Sequence, residues 1–259
     1  MFFKGSRYEI FSEIRIPYNV PFFVRCDGRN FHRLTNEVKF KKPYDKEFAE
    51  IMVNSAKTLF KNNLNPILAY IFSDEINILF FDAPFNGRIE KIDSVVASLL
   101  SSAFSLELYL RRKIVKTISF DARIIPIPEK RILEYLAWRQ LECWRNHINS
   151  YAFYTLIEKG VSREDAAKLL KGLKSAELHD LVFREKGINL AKTPTWQRRG
   201  ILLYFEEYLK EGVNKLTGEK VLTVRRKLVE NWELPIFNSP EGKNMLLKII
   251  KDRRSRVGT

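Results

Sequence analysis

Two short segments of the chain carry carboxylates in positions suited to binding a metal ion. Asp27 follows the apolar run PFFV and precedes Gly28, while Asp74 and Glu75 belong to Ser73-Asp74-Glu75, between two more apolar runs. Carboxylates that lie close together repel each other unless a cation lies between them. Mg²⁺ accepts carboxylate oxygens and keeps positions for water and substrate phosphates. The two aspartates therefore predict a two-ion magnesium site for phosphoryl or nucleotidyl transfer, with Glu75 as a further catalytic candidate.

Basic side chains lie near these carboxylates in the sequence. Arginine and lysine bind phosphate oxygens, arginine in a bidentate manner, and Gly28 leaves room for a phosphate or metal to approach the backbone. Each feature alone has a plainer interpretation, since Asp-Gly and Ser-Asp-Glu are common turns and a basic cluster is commonly a solvated surface. Their joint occurrence favours the two-metal interpretation. The predicted triphosphate clamp consists of Arg25, Arg29, Lys41, Lys42, Arg88, Lys91 and Arg123.

The first half of the chain has the pattern of an α+β fold that would position these residues. Three residues separate its second and third apolar runs, which predicts a hairpin with Asp74 at the turn. We expect an antiparallel sheet with helices on one face, in which the end of the first strand and the hairpin turn meet at one edge. The predicted strands are 20–26, 66–72, 76–81 and 116–128, and the predicted helices are 45–61 and 90–110.

After Pro128 the sequence becomes mainly helical. A long helix is predicted over 129–159, and Gly160 ends it. Further helices are predicted at 163–170, 175–185 and 240–253, and strands at 199–209 and 219–229 are joined through LTGEK. We therefore predict a boundary at Pro128 between a catalytic region, residues 1–128, and a helical, basic region with a hairpin, residues 129–259. The two regions can still pack as one domain.

The charge of the chain favours a polyanionic partner. Lys and Arg number 45 and Asp and Glu 31, which gives a formal net charge of +14. Residues 1–128 carry 19 basic and 14 acidic side chains (+5), and residues 129–259 carry 26 and 17 (+9). Such an excess is typical of nucleic-acid binding, although the lysine-rich surface of a heat-adapted protein has the same composition. The more basic second half is the predicted nucleic-acid contact.

Zinc binding, membrane insertion and export are not expected from the sequence. Cys26 and Cys143 lie in apolar or aromatic contexts and form no Cys-x-x-Cys pair, so a structural zinc site is not expected. No apolar run reaches the ~20 residues that span a bilayer. The first residues, MFFKGSRYEIF, have no apolar segment typical of a secretory signal. We expect reduced thiols in a cytoplasmic protein that contacts no membrane.

Five motifs, in this order, resemble those of the tRNA-His guanylyltransferase family and its bacterial and archaeal relatives. The resemblance extends over residues 20–205, and the spacing of the first motif from Ser-Asp-Glu is its most specific part. The motifs are Asp27-Gly28-Arg29-Asn30-Phe31-His32-Arg33, Lys42-Pro43-Tyr44-Asp45, Ser73-Asp74-Glu75, Phe120-Asp121-Ala122-Arg123 and Trp138-Arg139-Gln140.

The resemblance implies a fold similar to a polymerase palm and a reversed polymerase activity. Family members add a nucleotide to the 5′ end of tRNA in the 3′–5′ direction, with two Mg²⁺ ions as cofactors and GTP and ATP as substrates. A 5′-monophosphate is first activated with a nucleoside triphosphate, or a 5′-triphosphate is used directly. The 3′-hydroxyl of the incoming GTP then attacks that end. The resemblance also implies a homo-oligomer, a dimer or tetramer.

The resemblance assigns roles to individual residues. Asp27, Asp74 and the carbonyl of Gly28 match the metal ligands. The motif at Arg123 departs from the family's Phe-Asp-Gly-Arg, because Ala122 replaces a glycine and leaves the backbone less free. The predicted nucleotide and triphosphate contacts are Arg25, Arg29, Asn30, Phe31, His32, Lys42, Asp45, Ser73, Lys91 and Arg123. For His32, packing with Phe31 under the loop is an equal alternative.

One departure separates this chain from the eukaryotic members. With Trp-Arg-Gln in register, Trp144 occupies the position of the histidine in their Cys-His-Ile-Asn-Asn segment. This resembles the archaeal or bacterial branch, whose members tend to add nucleotides opposite a template base and to repair truncated tRNA 5′ ends. Arg139, Arg145 and Asn146 are the predicted tRNA contacts. The polar face of a surface helix is the alternative interpretation of Arg145 and Asn146.

The leading hypothesis is therefore a template-dependent 3′–5′ nucleotidyltransferase that repairs tRNA 5′ ends. The alternatives are a dedicated tRNA-His guanylyltransferase that adds a single G, a palm-type nucleotide cyclase, and a basic RNA-binding module with a degenerate site. The positive charge beyond Pro128 argues against a cyclase, since a mononucleotide does not need it. The intact Asp27 and Asp74 argue against a module without catalytic activity.

Overall fold

The computed structural model describes residues 8–213 and 220–254. The first half of the chain forms β1 (Phe22–Gly28), α1 (Phe31–Glu37), α2 (Lys46–Lys61), β2 (Leu68–Phe72), β3 (Glu75–Phe80), α3 (Ile89–Arg112) and β4 (Phe120–Pro126). The second half forms α4 (Ile132–Glu158), α5 (Arg163–Leu170), α6 (Ser175–Lys186), α7 (Thr195–Arg199), β5 (Ile201–Val213), β6 (Lys220–Asn231) and α8 (Pro240–Arg254).

The strands in the described part of the chain pair into one six-stranded antiparallel sheet, in the order β4-β1-β3-β2-β5-β6. Asp27, near the end of β1, lies opposite Glu75 on β3 and Asp121 on β4. Two residues earlier, Arg25 lies opposite Arg123. Because alternate residues of a strand point to opposite faces, these charged side chains project from the same face of the sheet.

Helices cover both faces of the sheet. On one face Phe22, Val24 and Cys26 pack against α1, α2 and α3. On the other, Phe23 and Tyr70 pack against α4 and α8. The predicted α+β architecture is confirmed, with all helices of the first half on one face of the sheet. Helices of the second half cover the opposite face. Strands β2 and β3 are buried along their whole length, as double cover requires.

The boundaries of α2 follow from its sequence. The carboxylate of Asp45 accepts hydrogen bonds from the backbone N–H groups of Glu47 and Phe48, at 2.8 and 3.3 Å, and so caps the first turn. Ile51 and Leu59 lie on the buried face of the helix and are fully inaccessible to solvent. The predicted helix over 45–61 is confirmed, and its first residue, Asp45, is the N-terminal cap of α2.

Helix α3 is long and apolar enough, by composition, to span a membrane, and no other helix in the described ranges meets that criterion. Its residues Ile92, Val96, Leu100 and Phe104 are fully buried against the sheet. The apolar character of α3 is therefore explained by its role as a core helix.

The structure differs from the predicted elements in two places. The short helices α1 and α7 were not predicted, because seven and five residues are too few for a helical periodicity to appear. The predicted hairpin β5–β6 joins the sheet next to β2, where 68–71 pairs with 201–204. The sheet thus contains strands from both sides of Pro128, and a domain boundary there stays a prediction. Most of the predicted LTGEK connection lies in residues 214–219, outside the described residues.

Candidate active site

The ends of three strands meet at the segment that contains Asp27. The N–H of Gly28 donates to the carbonyl oxygen of Asp74 at 3.1 Å, and the N–H of Arg29 donates to the carbonyl oxygen of Ser119 at 2.9 Å. These bonds join the end of β1 to the β2–β3 turn and to the segment before β4. The predicted meeting of the strand end and the hairpin turn at one edge is confirmed.

The space beside Gly28 is filled by the ring of Phe31. A Cβ atom at Gly28 would lie 2.3 Å from that ring, so a larger residue does not fit. The ring itself packs against Phe104 and Phe120 with centroids 5.1 and 5.0 Å apart, and Phe31 is 3% exposed. The ring therefore supports the floor of the site, where Phe31 lines the cavity described below, and the nucleotide contact through Phe31 stays a prediction.

The carboxylates of Asp27 and Asp74 interact electrostatically. Burial, followed by repulsion from Asp27, raises the pKa of Asp74 from 3.8 to about 6, and a hydrogen bond from the hydroxyl of Ser73 (3.0 Å) opposes the shift. Burial also raises the pKa of Asp27, and repulsion from Asp121 adds to it, while Arg123 lowers it. Both aspartates thus hold negative charge at a cost in free energy.

This donor set fits Mg²⁺. Two neighbouring carboxylates with raised pKa values, next to the backbone carbonyl of Gly28, are hard oxygen ligands whose repulsion a divalent cation would relieve. No group of three or more His, Cys, Asp or Glu side chains within 8–213 and 220–254 is arranged to hold a metal. A magnesium site here would rest on Asp27, Asp74 and the Gly28 carbonyl, with water and phosphate completing the coordination.

The side chain of Glu75 belongs to a buried polar network, formed by Glu75, Asn77, Tyr135 and Arg139. Arg139 donates to both carboxylate oxygens of Glu75, at 2.9 and 2.7 Å. Asn77 donates to Glu75 at 2.7 Å, and Tyr135 donates to Asn77 at 2.7 Å. The network links β3 to α4 behind the β2–β3 turn. It occupies both carboxylate oxygens of Glu75 and buries Arg139, which is 7% exposed, so that the catalytic role of Glu75 and the tRNA contact of Arg139 stay predictions.

A cavity of about 560 Å³ opens next to the β2–β3 turn. Its walls come from α1, α2, α4, α5 and α7, and Ser73 and Asp74 line its edge. Aromatic side chains supply much of the apolar wall, and basic side chains lie at the mouth. The aromatic residues include Phe40, Tyr44, Phe48 and Trp196, and the basic ones are His32, Lys41, Lys42 and Arg163.

Besides Asp45, six of the predicted contacts line this cavity: Phe31, His32, Lys41, Lys42, Ser73 and Asn146. Lys42 is half-buried and donates to the Thr35 hydroxyl at 2.5 Å. Asp45 also lines the cavity, but its oxygens are used by the α2 cap and by the N–H of Lys41 (2.8 Å). Asp45 thus shapes the site through the backbone.

Other predicted contacts lie outside the cavity. Arg25 and Arg123 stand beside Asp27 on the sheet face, where Arg123 pairs with Asp121 at 2.7 Å. Arg29 and Asn30 are exposed in the loop after β1. The ammonium of Lys91 lies over the ring of Phe85, 5.3 Å from its centroid, and Arg145 pairs with Glu142 on the surface of α4.

Three functional candidates were missed at the level of sequence. Asp121 shares the face of Asp27 and Arg123, and the alternation within Phe-Asp-Ala-Arg was the signal for it. Trp196 and Arg163 reach the cavity from α7 and α5. Nothing in the sequence pattern connects either residue with the β2–β3 turn, because tertiary packing alone brings them together.

Comparisons with known proteins agree with this geometry. Residues 4–128 match the profile described as tRNAHis guanylyltransferase, and residues 130–233 match that of the Thg1 C terminal domain. The tRNA(His) guanylyltransferase of Debaryomyces hansenii is 33% identical over 83% of this chain and 86% of its own length. A probable tRNA(His) guanylyltransferase of Drosophila melanogaster is 32% identical over 71% of this chain and 67% of its own.

Solved structures show the same fold. A bacterial tRNA(His) guanylyltransferase-like protein in complex with ATP superposes with a TM-score of 0.74 at 27% identity, covering 93% of this chain and 95% of its own. The same type of protein in complex with GTP gives 0.66 at 26% identity, covering 90% and 91%.

The fold, the carboxylate pair and the adjoining cavity define a nucleotidyltransferase. With both profiles matched across most of its length, the chain belongs to the tRNA-His guanylyltransferase family.

Proposed function

We propose that this protein is a template-dependent 3′–5′ nucleotidyltransferase that adds nucleotides, notably G from GTP, to the 5′ end of tRNA and so repairs truncated ends. One observation carries the proposal: the cavity opens at Asp74, whose charge interacts with that of Asp27. A base held between the aromatic walls would have its phosphates at the carboxylate pair. The ATP and GTP complexes of the bacterial relative support a nucleotide as the occupant.

The residues of this chain would divide the work as follows. Asp27, Asp74 and the Gly28 carbonyl would hold two Mg²⁺ ions, and these ions would lower the pKa of the attacking hydroxyl and neutralise charge on the leaving phosphate. Lys42 and His32 contact phosphate oxygens at the cavity mouth. Arg123, beside Asp27, orients the phosphate at the sheet face.

The chemistry has two steps. An oxygen of the RNA 5′-monophosphate attacks the α-phosphorus of ATP, pyrophosphate leaves, and the RNA end carries an adenylyl group. The 3′-hydroxyl oxygen of GTP then attacks the RNA 5′-phosphorus, the hydroxyl proton is lost to solvent, and AMP leaves. An end that already carries a triphosphate releases pyrophosphate in the second step.

Charge supports tRNA as the acceptor. The second half of the chain carries 26 basic against 17 acidic side chains, and Arg145 and Asn146 are exposed on α4, with Asn146 at the cavity. A polyanion gains affinity from such an excess through counterion release. We further propose a homo-oligomer, a dimer or tetramer, in the cytoplasm, which light scattering and fractionation would test.

A dedicated tRNA-His guanylyltransferase that adds one G is the second candidate, because the relatives carry that name. An extension assay separates the two functions. Labelled full-length tRNA-His and tRNAs lacking their first nucleotide are supplied, each with a 5′-monophosphate or 5′-triphosphate and with or without ATP.

Repair predicts faster extension of the truncated tRNAs and an added nucleotide that follows the opposing base. Faster addition of one G to full-length tRNA-His, whatever the opposing base, would favour the second candidate. Extension of neither RNA, with cyclic nucleotide formed from free ATP or GTP, would overturn both. Asp27→Asn serves as the inactive control.

A further inference from the structure

Arg163 connects a helix of the second half of the chain to the catalytic region. It is the first residue of α5, and its guanidinium contacts Nε2 of His32 on α1. The guanidinium also lies over the ring of Phe153, 5.5 Å from the centroid, and the side chain lines the cavity. Residues 131 positions apart thus meet at the cavity mouth.

Within the described residues the cations at this mouth form no close ion pair, although Asp74 and Asp45 attract Lys42 from a longer distance. No carboxylate in the described residues lies within 4.0 Å of the Arg163 guanidinium or the Lys42 ammonium, and Lys42 donates to the neutral hydroxyl of Thr35. The positive charge of Arg163 lowers the pKa of both His32 and Lys42, after the larger effect of their burial.

Three exposed arginines of this protein are held differently. Arg33, Arg123 and Arg145 are well exposed, and each pairs with a carboxylate within 2.7 Å. Because like charges repel and neither cation at the mouth has a carboxylate within 4.0 Å in the described residues, a ligand with several negative oxygens would find two strong donors and an imidazole already converging on it.

We propose that Arg163 binds the phosphate chain of the ligand held in the cavity, together with Lys42 and His32. This inference rests on the proposed function for the identity of the cavity as a nucleotide site, and it adds a phosphate contact from outside the catalytic region. The phosphates belong either to a nucleoside triphosphate or to the 5′ end of the RNA.

The contact would also hold α5 against the rest of the protein. Ala166 is the buried residue of this eight-residue helix, so few apolar contacts anchor it. A phosphate chain bound by both Arg163 and Lys42 would tie α5 to the loop before α2. Ligand binding is therefore expected to slow amide exchange in α5.

The test compares Arg163→Gln with Lys168→Gln. Lys168 lies on the same helix, is exposed, pairs with Asp165 and does not line the cavity. Its replacement therefore removes one positive charge from α5 without changing the cavity wall. Isothermal calorimetry with Mg²⁺ measures the affinity of each protein for ATP, GTP, AMP and adenosine. RNA affinity is measured with otherwise identical tRNAs ending in a 5′-triphosphate, a 5′-monophosphate or a 5′-hydroxyl.

A charge-assisted contact to the nucleotide predicts about tenfold weaker binding of ATP and GTP by Arg163→Gln, unchanged binding of adenosine, and loss of the α5 exchange protection. Arg163→Lys should restore part of the affinity. If the phosphates belong to the RNA, the variant instead loses its preference for 5′-phosphorylated tRNA and binds nucleotides normally.

The inference is overturned if Arg163→Gln matches Lys168→Gln in both arms. Circular dichroism of each variant establishes that it is folded. A wild-type protein that binds triphosphates but extends no tRNA would refute the proposed function and leave the Arg163 result standing. A wild-type protein that extends tRNA, with no effect of Arg163→Gln, would refute only this inference.

Discussion

Asp74 and Glu75 are adjacent in the chain, yet their charges are balanced in different ways. Glu75 lies in the buried polar network, where Arg139 meets both of its oxygens. Asp74 lies in what we call the ligand-facing cluster, formed by Asp27, Asp74 and the cations of the cavity mouth, where Asp27 repels Asp74 and Arg163 repels Lys42, while Asp74 attracts Lys42 without a close ion pair. Charge in the network is balanced by a direct ion pair within the protein. We expect the charges in the cluster to be fully balanced only when a metal and phosphates are bound.

The β2–β3 turn presents its two carboxylates to different surroundings. Alternation along β3 directs Glu75 toward α4, while the backbone of Ser73, with its left-handed φ of +49°, turns Asp74 toward the cavity. The ion pair of Glu75 with Arg139 stabilises the turn. This stability allows Asp74 to remain without a close ion pair. Substitutions in the buried polar network and in the ligand-facing cluster should therefore have different effects.

The largest effect is expected from breaking the network. Arg139→Met leaves the buried carboxylate of Glu75 without its partner, which costs about 3–5 kcal/mol. Urea unfolding at pH 7.5 measures the loss. The double variant Glu75→Gln/Arg139→Met should recover a good part of it, because no unpaired charge remains. A loss below about 1 kcal/mol for the single variant would contradict the role of the network.

Neutralising Asp74 should have the opposite effect on stability. Its folded pKa of about 6 lies above the value of 3.8 for a free carboxyl. The folded state therefore keeps a proton between these values that the unfolded state has lost, so the metal-free protein loses stability as pH rises from about 4 to 6. Asp74→Asn should unfold at higher urea concentration than wild type at pH 8 without metal, by up to about 3 kcal/mol.

At pH 3.5 that difference should vanish, because Asp74 is protonated in both states. Addition of Mg²⁺ and GTP at pH 8 should stabilise the wild type and have little effect on the variant. Equal stability of the two proteins at pH 8 without metal would contradict repulsion within the ligand-facing cluster.

Much of this fold was predictable from residues close in sequence. The hairpin turn at Ser73-Asp74, the cap at Asp45 and the long helix that ends before Gly160 each depend on local signals. The pairing of Glu75 with Arg139 was not predictable, because the two residues are 64 positions apart. In the sequence, a glutamate next to a catalytic aspartate has the same appearance whether it takes part in the reaction or stabilises the structure.

The candidate site was predictable to a similar degree. The motifs pointed to Asp27 and Asp74, but they did not distinguish side chains that line the cavity from those, such as Arg139, that are buried behind the β2–β3 turn. Residues that reach the cavity from α5 and α7 depend on how two halves of the chain pack. No local pattern records that packing.

Removing a cation from the cavity mouth should have an intermediate effect. Lys42→Met keeps the apolar stem and deletes the charge, so affinity for GTP should fall about tenfold, ~1.4 kcal/mol, while stability changes little or rises. Fluorescence titration with a labelled GTP analogue checks this. Lys168→Gln is the matched control, and an unchanged affinity in Lys42→Met would remove Lys42 from the site.

The smallest effect is expected at Asp121. Its charge raises the pKa of Asp27, so Asp121→Asn should move the acid limb of the pH–rate profile to lower pH, by a few tenths of a unit given its exposure. Single-turnover rates from pH 5 to 8 measure the shift. A shift to higher pH would show that Asp121 acts chiefly by holding Arg123 close to Asp27.

We infer that Asp74 takes part in the reaction, whereas Glu75 stabilises the folded structure. The most direct test of this claim is the single-turnover rate of GTP addition to a 5′-triphosphorylated truncated tRNA, for Asp74→Asn and Glu75→Gln, at a temperature where both are folded. We predict a loss of about 10³-fold or more for Asp74→Asn, and for Glu75→Gln a loss at least tenfold smaller. A near wild-type rate in Asp74→Asn, or equal losses in the two folded variants, would contradict the claim.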